Sequence, residues 1–235
     1  MNSKAILAIV AAGVLVAGTV AALAFAGPPA ASSNTSKESP EEMVSRLTTP
    51  TIPSAYALGS PDAKVTIVEF GDYLCTFCHR FHQDTKDQLV ANYVDTGKVR
   101  FVFKDFPIND HLAGGSTLGA RASYCAADQN KFWEFHDGMY NNWGGEKAGW
   151  ITKENMLVYA RNAGVADIDQ FKSCLDSNKY ADVVRENYRL AQSIGLDATP
   201  SFIIIPADGG QPTLIRGAYP YSAFQQVIDD ASSSS

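Results

Sequence analysis

Val65-Thr66-Ile67-Val68-Glu69-Phe70-Gly71-Asp72-Tyr73-Leu74-Cys75-Thr76-Phe77-Cys78-His79 decides how the rest of the chain is read. Its first six residues are a β-branched run of strand length. From His79 to Tyr93 the apolar residues recur at helical spacing, and Val99-Arg100-Phe101-Val102-Phe103-Lys104 is a second strand-like run. Strand, helix and strand make a βαβ unit with its two strands parallel. Cys75 and Cys78 therefore fall where the first strand turns into the helix, and a C-x-x-C at that place reads as a redox dithiol. The first sulfur lies at the helix N-terminus, where free N–H groups and the helix dipole favour a thiolate. The second lies one turn inside, near enough to form a readily exchanged disulfide.

Two other chemistries share these residues. His79 completes Cys75-x-x-Cys78-His79, the spacing of covalent c-type haem attachment, although that reading explains neither the strand before the motif nor the βαβ setting. Thiolate and imidazole also suit copper or zinc, which Cys75, Cys78, His79 and His82 would supply. A four-cysteine zinc site needs a second pair, and Cys125 and Cys174 are not neighbours in sequence.

Working outward, Gly59-Ser60-Pro61-Asp62 is turn chemistry ahead of the first strand. Residues 111–194 carry helical segments and no strand. Phe202-Ile203-Ile204-Ile205 and Thr213-Leu214-Ile215-Arg216 flank the turn Ala207-Asp208-Gly209-Gly210 as an antiparallel hairpin, and Tyr221 to Asp230 closes as a helix. The outline is a small α/β sheet split by a helical insertion. A hydrophobic content of 46% with 11% aromatics supports a packed core and excludes global disorder. A net charge of −6 leaves no basic face for tracking nucleic-acid phosphates.

Lys4 is the only charge before Lys37, and Ile6 to Ala26 is uncharged and apolar. Such a segment reaches ~31 Å as a helix, enough to cross a bilayer core. It also ends in Ala24-Phe25-Ala26, a small-x-small pattern that fits signal-peptidase cleavage. Residues 1–26 are expected to be a signal peptide or N-terminal membrane anchor, which makes the rest extracytoplasmic, secreted or tethered to the cell membrane. Residues 27–55, rich in Pro, Ser, Thr and Ala, are expected to be a flexible linker, with the fold starting near Tyr56 and Ser232 to Ser235 a frayed tail.

The segment from Gly59 to Cys78 resembles the active-site segment of exported DsbA-like thiol-disulfide oxidoreductases of the thioredoxin superfamily. The similarity continues through Arg100-Phe101-Val102-Phe103-Lys104-Asp105-Phe106-Pro107, Lys131-Phe132-Trp133-Glu134-Phe135-His136-Asp137 and Gly195-Leu196-Asp197-Ala198-Thr199-Pro200-Ser201-Phe202. The resemblance implies an α/β, thioredoxin-like fold (residues 56–110 and 195–231) interrupted by an inserted helical domain (111–194). It implies a protein disulfide oxidoreductase acting on protein thiols or disulfides through Cys75 and Cys78, in disulfide formation or isomerisation. No cofactor is required, because the cysteine pair is itself the redox group, and a membrane redox partner resets that pair.

The same resemblance assigns further roles. Thr199-Pro200 falls at the family's cis-proline loop, which holds an extended substrate peptide. Glu69 falls at its buried acid, a proton acceptor for Cys78, with Lys104 on the neighbouring strand as a candidate ion-pair partner. Cys125 and Cys174 match the structural disulfide that many relatives carry in the insertion; two free buried thiols are the alternative. His111 and His136 read as surface or packing residues, and Phe132, Trp133 and Phe135 as core. One departure stands inside the motif: Thr76-Phe77 replaces the Pro-His of DsbA proper. Phe77 cannot hydrogen-bond a thiolate, which puts strong oxidising power in question. A thioredoxin-fold copper or zinc carrier is the alternative function.

Overall fold

The β-branched run forms β1 (Val65–Gly71) in the computed structural model, which describes residues 38–55, 57–113 and 115–233. The strand lacks polar alternation because both of its faces are covered. It runs parallel to β2 (Val99–Asp105) with Val65 opposite Val99, and antiparallel to β3 (Ser201–Pro206) with Phe70 opposite Ser201. β4 (Thr213–Arg216) pairs antiparallel with β3, giving the order β2-β1-β3-β4. An isolated bridge from Leu58 caps the outer edge of β2 at Phe101. Gly59 makes that approach possible: its φ is +86°, and a Cβ there would lie 2.4 Å from the Val99 carbonyl oxygen.

The helical run after the cysteines is not one regular α-helix. α2 (Thr76–Phe81) passes into a π-helical segment, His82–Lys86, then the single turn α3 (Asp87–Leu89) and a second π segment, Val90–Val94. His82, Thr85 and Lys86 face inward on the same i, i+3, i+4 stripe that carries Cys78, Phe81 and Leu89. Between β2 and β3 come α4 (Asp110–Ala113), α5 (Ser116–Ala127), α6 (Phe132–Asn141), α7 (Lys153–Asn162), α8 (Ile168–Asp176) and α9 (Ala181–Ser193). A disulfide between Cys125 and Cys174 ties α5 to α8. α10 (Tyr221–Ser233) closes the described chain.

Apolar side chains fill both sides of the sheet. On one side Ile67, Phe101, Phe103 and Phe202 pack with Cys78, Phe81, Phe132, Phe135, Tyr140 and Phe224. The insertion therefore shares its core with the sheet and does not build a separate one. On the other side Val68, Phe70, Val102, Ile203 and Ile205 lie with Leu47, Leu190 and Ala191.

Three expectations need correction. The flexible linker cannot extend to residue 55, because α1 (Pro40–Thr48) is a packed helix. Ser39 and Glu42 form a reciprocal capping box, Pro40 occupies the first turn, and Leu47 is buried against the sheet. Residues 49–51 are fixed as well, since Lys104 Nζ donates to Thr49 O at 2.9 Å and Thr51 Oγ1 donates to Asn187 Oδ1 at 2.8 Å. Second, Lys104 does not pair with Glu69. Lys104 stands opposite Phe70 in the register, so its side chain is on the face away from Glu69. Third, Ser232 and Ser233 are helical, each hydroxyl donating to a carbonyl four residues earlier. The signal or anchor segment, residues 27–37, Tyr56, Ser234 and Ser235 lie outside the described residues. No described helix is long and apolar enough to cross a membrane.

Candidate active site

β1 delivers the chain to Asp72, whose buried carboxylate fixes the approach to the cysteines. It accepts from Leu74 N at 2.9 Å, Asn109 N at 2.8 Å and Ser116 Oγ at 2.7 Å. Asp72 N in turn donates to Cys78 Sγ at 3.5 Å. Cys75 is the N-cap of α2: its backbone is extended and its Sγ accepts from Cys78 N at 3.4 Å. The Cys75 thiol donates to the Thr199 carbonyl at 3.3 Å, and the Thr199–Pro200 bond is cis. Both cysteines are free thiols and both are buried, whereas Phe77 between them is 51% exposed, with the Arg80 guanidinium over its ring.

The two sulfurs are driven apart electrostatically. The Cys75 thiol is pulled down to about 7, chiefly by the hydrogen bond with the Cys78 side chain, with further help from Thr199 and the N–H groups of Cys78 and Phe77. Burial pushes Cys78 well above the ordinary thiol range, and the neighbouring Cys75 and Glu69 add to the rise. One sulfur is thus set up as the thiolate and the other as its protonated partner. The Cys78 side chain and the backbone donors at the helix start do this although the Phe77 side chain donates nothing.

Glu69 is 2% exposed and lies on the face of β1 that carries the cysteines and the insertion. Gly71 gives it room: a Cβ there would stand 2.6 Å from the Phe103 ring and 3.2 Å from Glu69 Oε1. Burial raises the carboxyl to about 8, opposed by the charge of Lys86 and reinforced by Cys75 and Asp137. The folded state therefore holds this proton until about pH 8, while an unfolded glutamate releases it near its ordinary 4.5. Because the folded chain binds the extra proton, this group's stabilising contribution is complete below pH 4.5 and is lost as pH rises to 8. Glu69→Gln is expected to flatten that decline and to stabilise the fold by a few kcal/mol at pH 8 relative to its effect at pH 4, on the order given by linkage. Denaturant titrations of both proteins across pH 4–9 check this, and parallel curves would show a solvated carboxylate.

Lys86 and the residues around it carry a polar cluster that the sequence reading did not single out. Lys86 is 3% exposed, and its Nζ lies 2.8 Å from Asp137 Oδ1. His136 Nδ1 lies 2.9 Å from the same oxygen. His136 is buried as the packing reading expected, but it also braces this carboxylate. Against the rise that burial alone would bring, the hydrogen bond from His136 and the Lys86 ammonium hold the Asp137 carboxyl well below its ordinary range, and burial keeps His82 neutral by pushing it down to about 3. The unusual content of the segment is a lysine on the core-facing stripe of the helix, a position where apolar residues are the rule.

The metal alternative fares poorly on geometry. Cys75, Cys78 and His79 do not converge with His82: His79 Nδ1 is 3.0 Å from the Tyr140 carbonyl and its ring stacks on Trp143 at 4.7 Å. Among the described residues, His82, His136 and Asp137 bring ligand atoms within 4.8 Å of one another. The buried Lys86 ammonium already holds Asp137 there and would repel a dication. His79 is likewise docked on the insertion, away from the arrangement a covalent haem needs.

A thioredoxin family model matches residues 51–230. Probable disulfide bond formation protein D of Bacillus anthracis is 33% identical over 151 residues, 63% of this chain and 68% of that protein. Disulfide bond formation protein D of Bacillus subtilis is 31% identical over 158 residues, 66% of this chain and 69% of that protein. The crystal structure of oxidised BdbD from Bacillus subtilis superposes with a TM-score of 0.69 at 26% identity, covering 80% of this chain and 97% of that one. With the sheet order, the dithiol at the helix start and this agreement together, the chain belongs to the DsbA-like thiol-disulfide oxidoreductases of the thioredoxin superfamily.

Proposed function

We propose that this enzyme inserts or rearranges disulfides in extracytoplasmic proteins, with Cys75 as the exchanging sulfur, Cys78 as its partner, Glu69 as proton donor and acceptor, and Thr199-Pro200 as the substrate-holding edge. The observation that carries the reading is the divergence of two adjacent thiols, Cys75 pulled down to about 7 and Cys78 pushed up by burial. In the oxidising direction a substrate thiolate attacks Cys75 Sγ of the Cys75–Cys78 disulfide. That bond breaks, its electron pair goes to Cys78, and Glu69 gives its proton to the leaving sulfur. A second substrate thiolate then attacks the substrate sulfur of the mixed disulfide and releases Cys75 as a thiolate, a good leaving group because its pKa is low. Reversing these steps reduces a substrate, and alternating the directions isomerises it.

The disulfide between Cys125 and Cys174 supports an oxidising compartment, as do the apolar residues 6–26. Secretion or tethering by that segment, and resetting of Cys75 and Cys78 by a membrane-bound oxidant, complete the proposal. The test mixes the oxidised protein with a reduced, unfolded protein containing several cysteines. One disulfide transferred per enzyme, abolished in Cys75→Ser, is expected. No transfer, or stoichiometric copper retained on Cys75 and Cys78 after purification without added metal, would favour the carrier function instead.

A further inference from the structure

The mechanism leaves Glu69 with an electrostatic problem. Once it has protonated Cys78, a carboxylate remains in a site that is 2% exposed, with Phe103 and Phe202 opposite it on the neighbouring strands. No lysine or arginine among the described residues makes an ion pair with it. The charged or titratable groups around it come from three places. The cysteine turn and α2 supply Cys75 and Cys78, the first π segment supplies His82 and Lys86, and α6 supplies His136, Asp137 and Tyr140. Tyr73 completes the set from the loop after β1, its ring 5.2 Å from that of Tyr140. Both histidines are held neutral by burial. Lys86 is the cation in this group, buried across the Trp133 ring and joined to Asp137. The Asp137 side chain is 37% exposed, whereas those of Lys86 and His136 are 4% and 1% exposed.

We propose that Lys86 and Asp137 are positioning residues that set the charge of Glu69, the ammonium favouring its carboxylate and the insertion's aspartate limiting that pull. The inference rests on the proton-transfer role given to Glu69 above and adds the two groups that tune it. Its structural basis is the core-facing stripe of the helical run, which carries Cys78, His82 and Lys86 together, and α6, which meets Lys86 with a carboxylate braced by His136, whose ring packs 4.6 Å from that of Phe103, the residue opposite Glu69. The helical insertion thereby takes part in exchange chemistry performed on the sheet domain.

The two residues must act in opposite directions. Lys86→Met removes the charge that stabilises the Glu69 anion, so the carboxyl should titrate higher, by about one pH unit or more. Asp137→Asn removes a nearby negative charge and frees Lys86, so the carboxyl should titrate lower. Lys86→Arg keeps the cation and should restore the wild-type midpoint. The experiment follows the Glu69 side-chain carboxyl by NMR in the reduced full chain labelled at glutamate carboxyl carbon, assigned by its loss in Glu69→Gln. In parallel, stopped-flow measures the pH profile of Cys78 release from the oxidised protein by a small thiol.

Midpoints moving up in Lys86→Met and down in Asp137→Asn, with the kinetic profiles following, are expected. Unmoved midpoints, or shifts of the same sign, overturn the proposal whatever the rates do. Midpoints that diverge while the kinetic profiles stay fixed leave the charge setting intact and overturn the proton-transfer role of Glu69. If Lys86→Met fails to fold, the downward shift in Asp137→Asn and the unchanged midpoint in Lys86→Arg decide alone: absence of the first overturns the proposal.

Discussion

Cys78→Ser is expected to turn the enzyme into a trap, with covalent complexes through Cys75 accumulating and turnover falling on the order of 10³-fold or more. Cys75→Ser should lose the covalent step altogether. The asymmetry follows from the start of α2, where Cys75 Sγ accepts from the Cys78 N–H while Cys78 Sγ is shut against Asp72 N inside the core. A thiol pulled from 9 to about 7 is half ionised at pH 7. It has roughly 50 times the thiolate of an ordinary cysteine, but nucleophilicity falls with basicity and returns about tenfold of that. The net gain for Cys75 at neutral pH is about fivefold over a free thiol, and Cys78 should be silent. Mass spectrometry after brief iodoacetamide treatment of the reduced protein reads both sites. Preferential labelling of Cys78 would reverse the roles of the two sulfurs.

The second large effect is on stability. Replacing Cys125 and Cys174 together with serine opens a loop closed over a sequence separation of 49. In the chain-entropy account that costs about 4 kcal/mol, and for a fold of this size about 10 °C in Tm. The bond joins α5 to α8 within the helical insertion, so its loss should loosen the insertion first. Disulfide transfer at 25 °C by the folded variant should stay near wild type, because neither sulfur touches Cys75 or Cys78. Calorimetry and the transfer assay on the same sample separate the outcomes. A folded variant without activity would show that the insertion bond serves the chemistry.

Glu69 shows where reading residues in order reaches its limit. Its position six residues before Cys75 was enough to nominate it, and the resemblance was enough to suggest a buried acid. The choice of Lys104 as its partner was reasonable in one dimension, since both sit on adjacent strands. Strand register overrules it. A side-chain period of two puts Lys104 with Phe70, beneath α1, where it donates to Thr49 and burial lowers it to about 8. The cation the proposal assigns to Glu69 is Lys86, on the core-facing stripe of the helix that follows the cysteines.

The sequence by itself determined the βαβ unit, the hairpin, the helical insertion and the placement of Cys75 and Cys78 at a helix start. These follow from local patterns, β-branched runs, helical spacing and turn residues, whose physics acts over a few residues. The tertiary structure decided which face each strand residue takes, that residues 38–55 pack as part of the fold, and that α6 brings Asp137 and His136 to Lys86 behind the dithiol. Those outcomes depend on register and on the burial of charges by segments some 50 residues apart, as Lys86 and Asp137 are. Burial in particular sets the titration of Cys78 and Glu69, and burial belongs to the assembled core and to no stretch of chain.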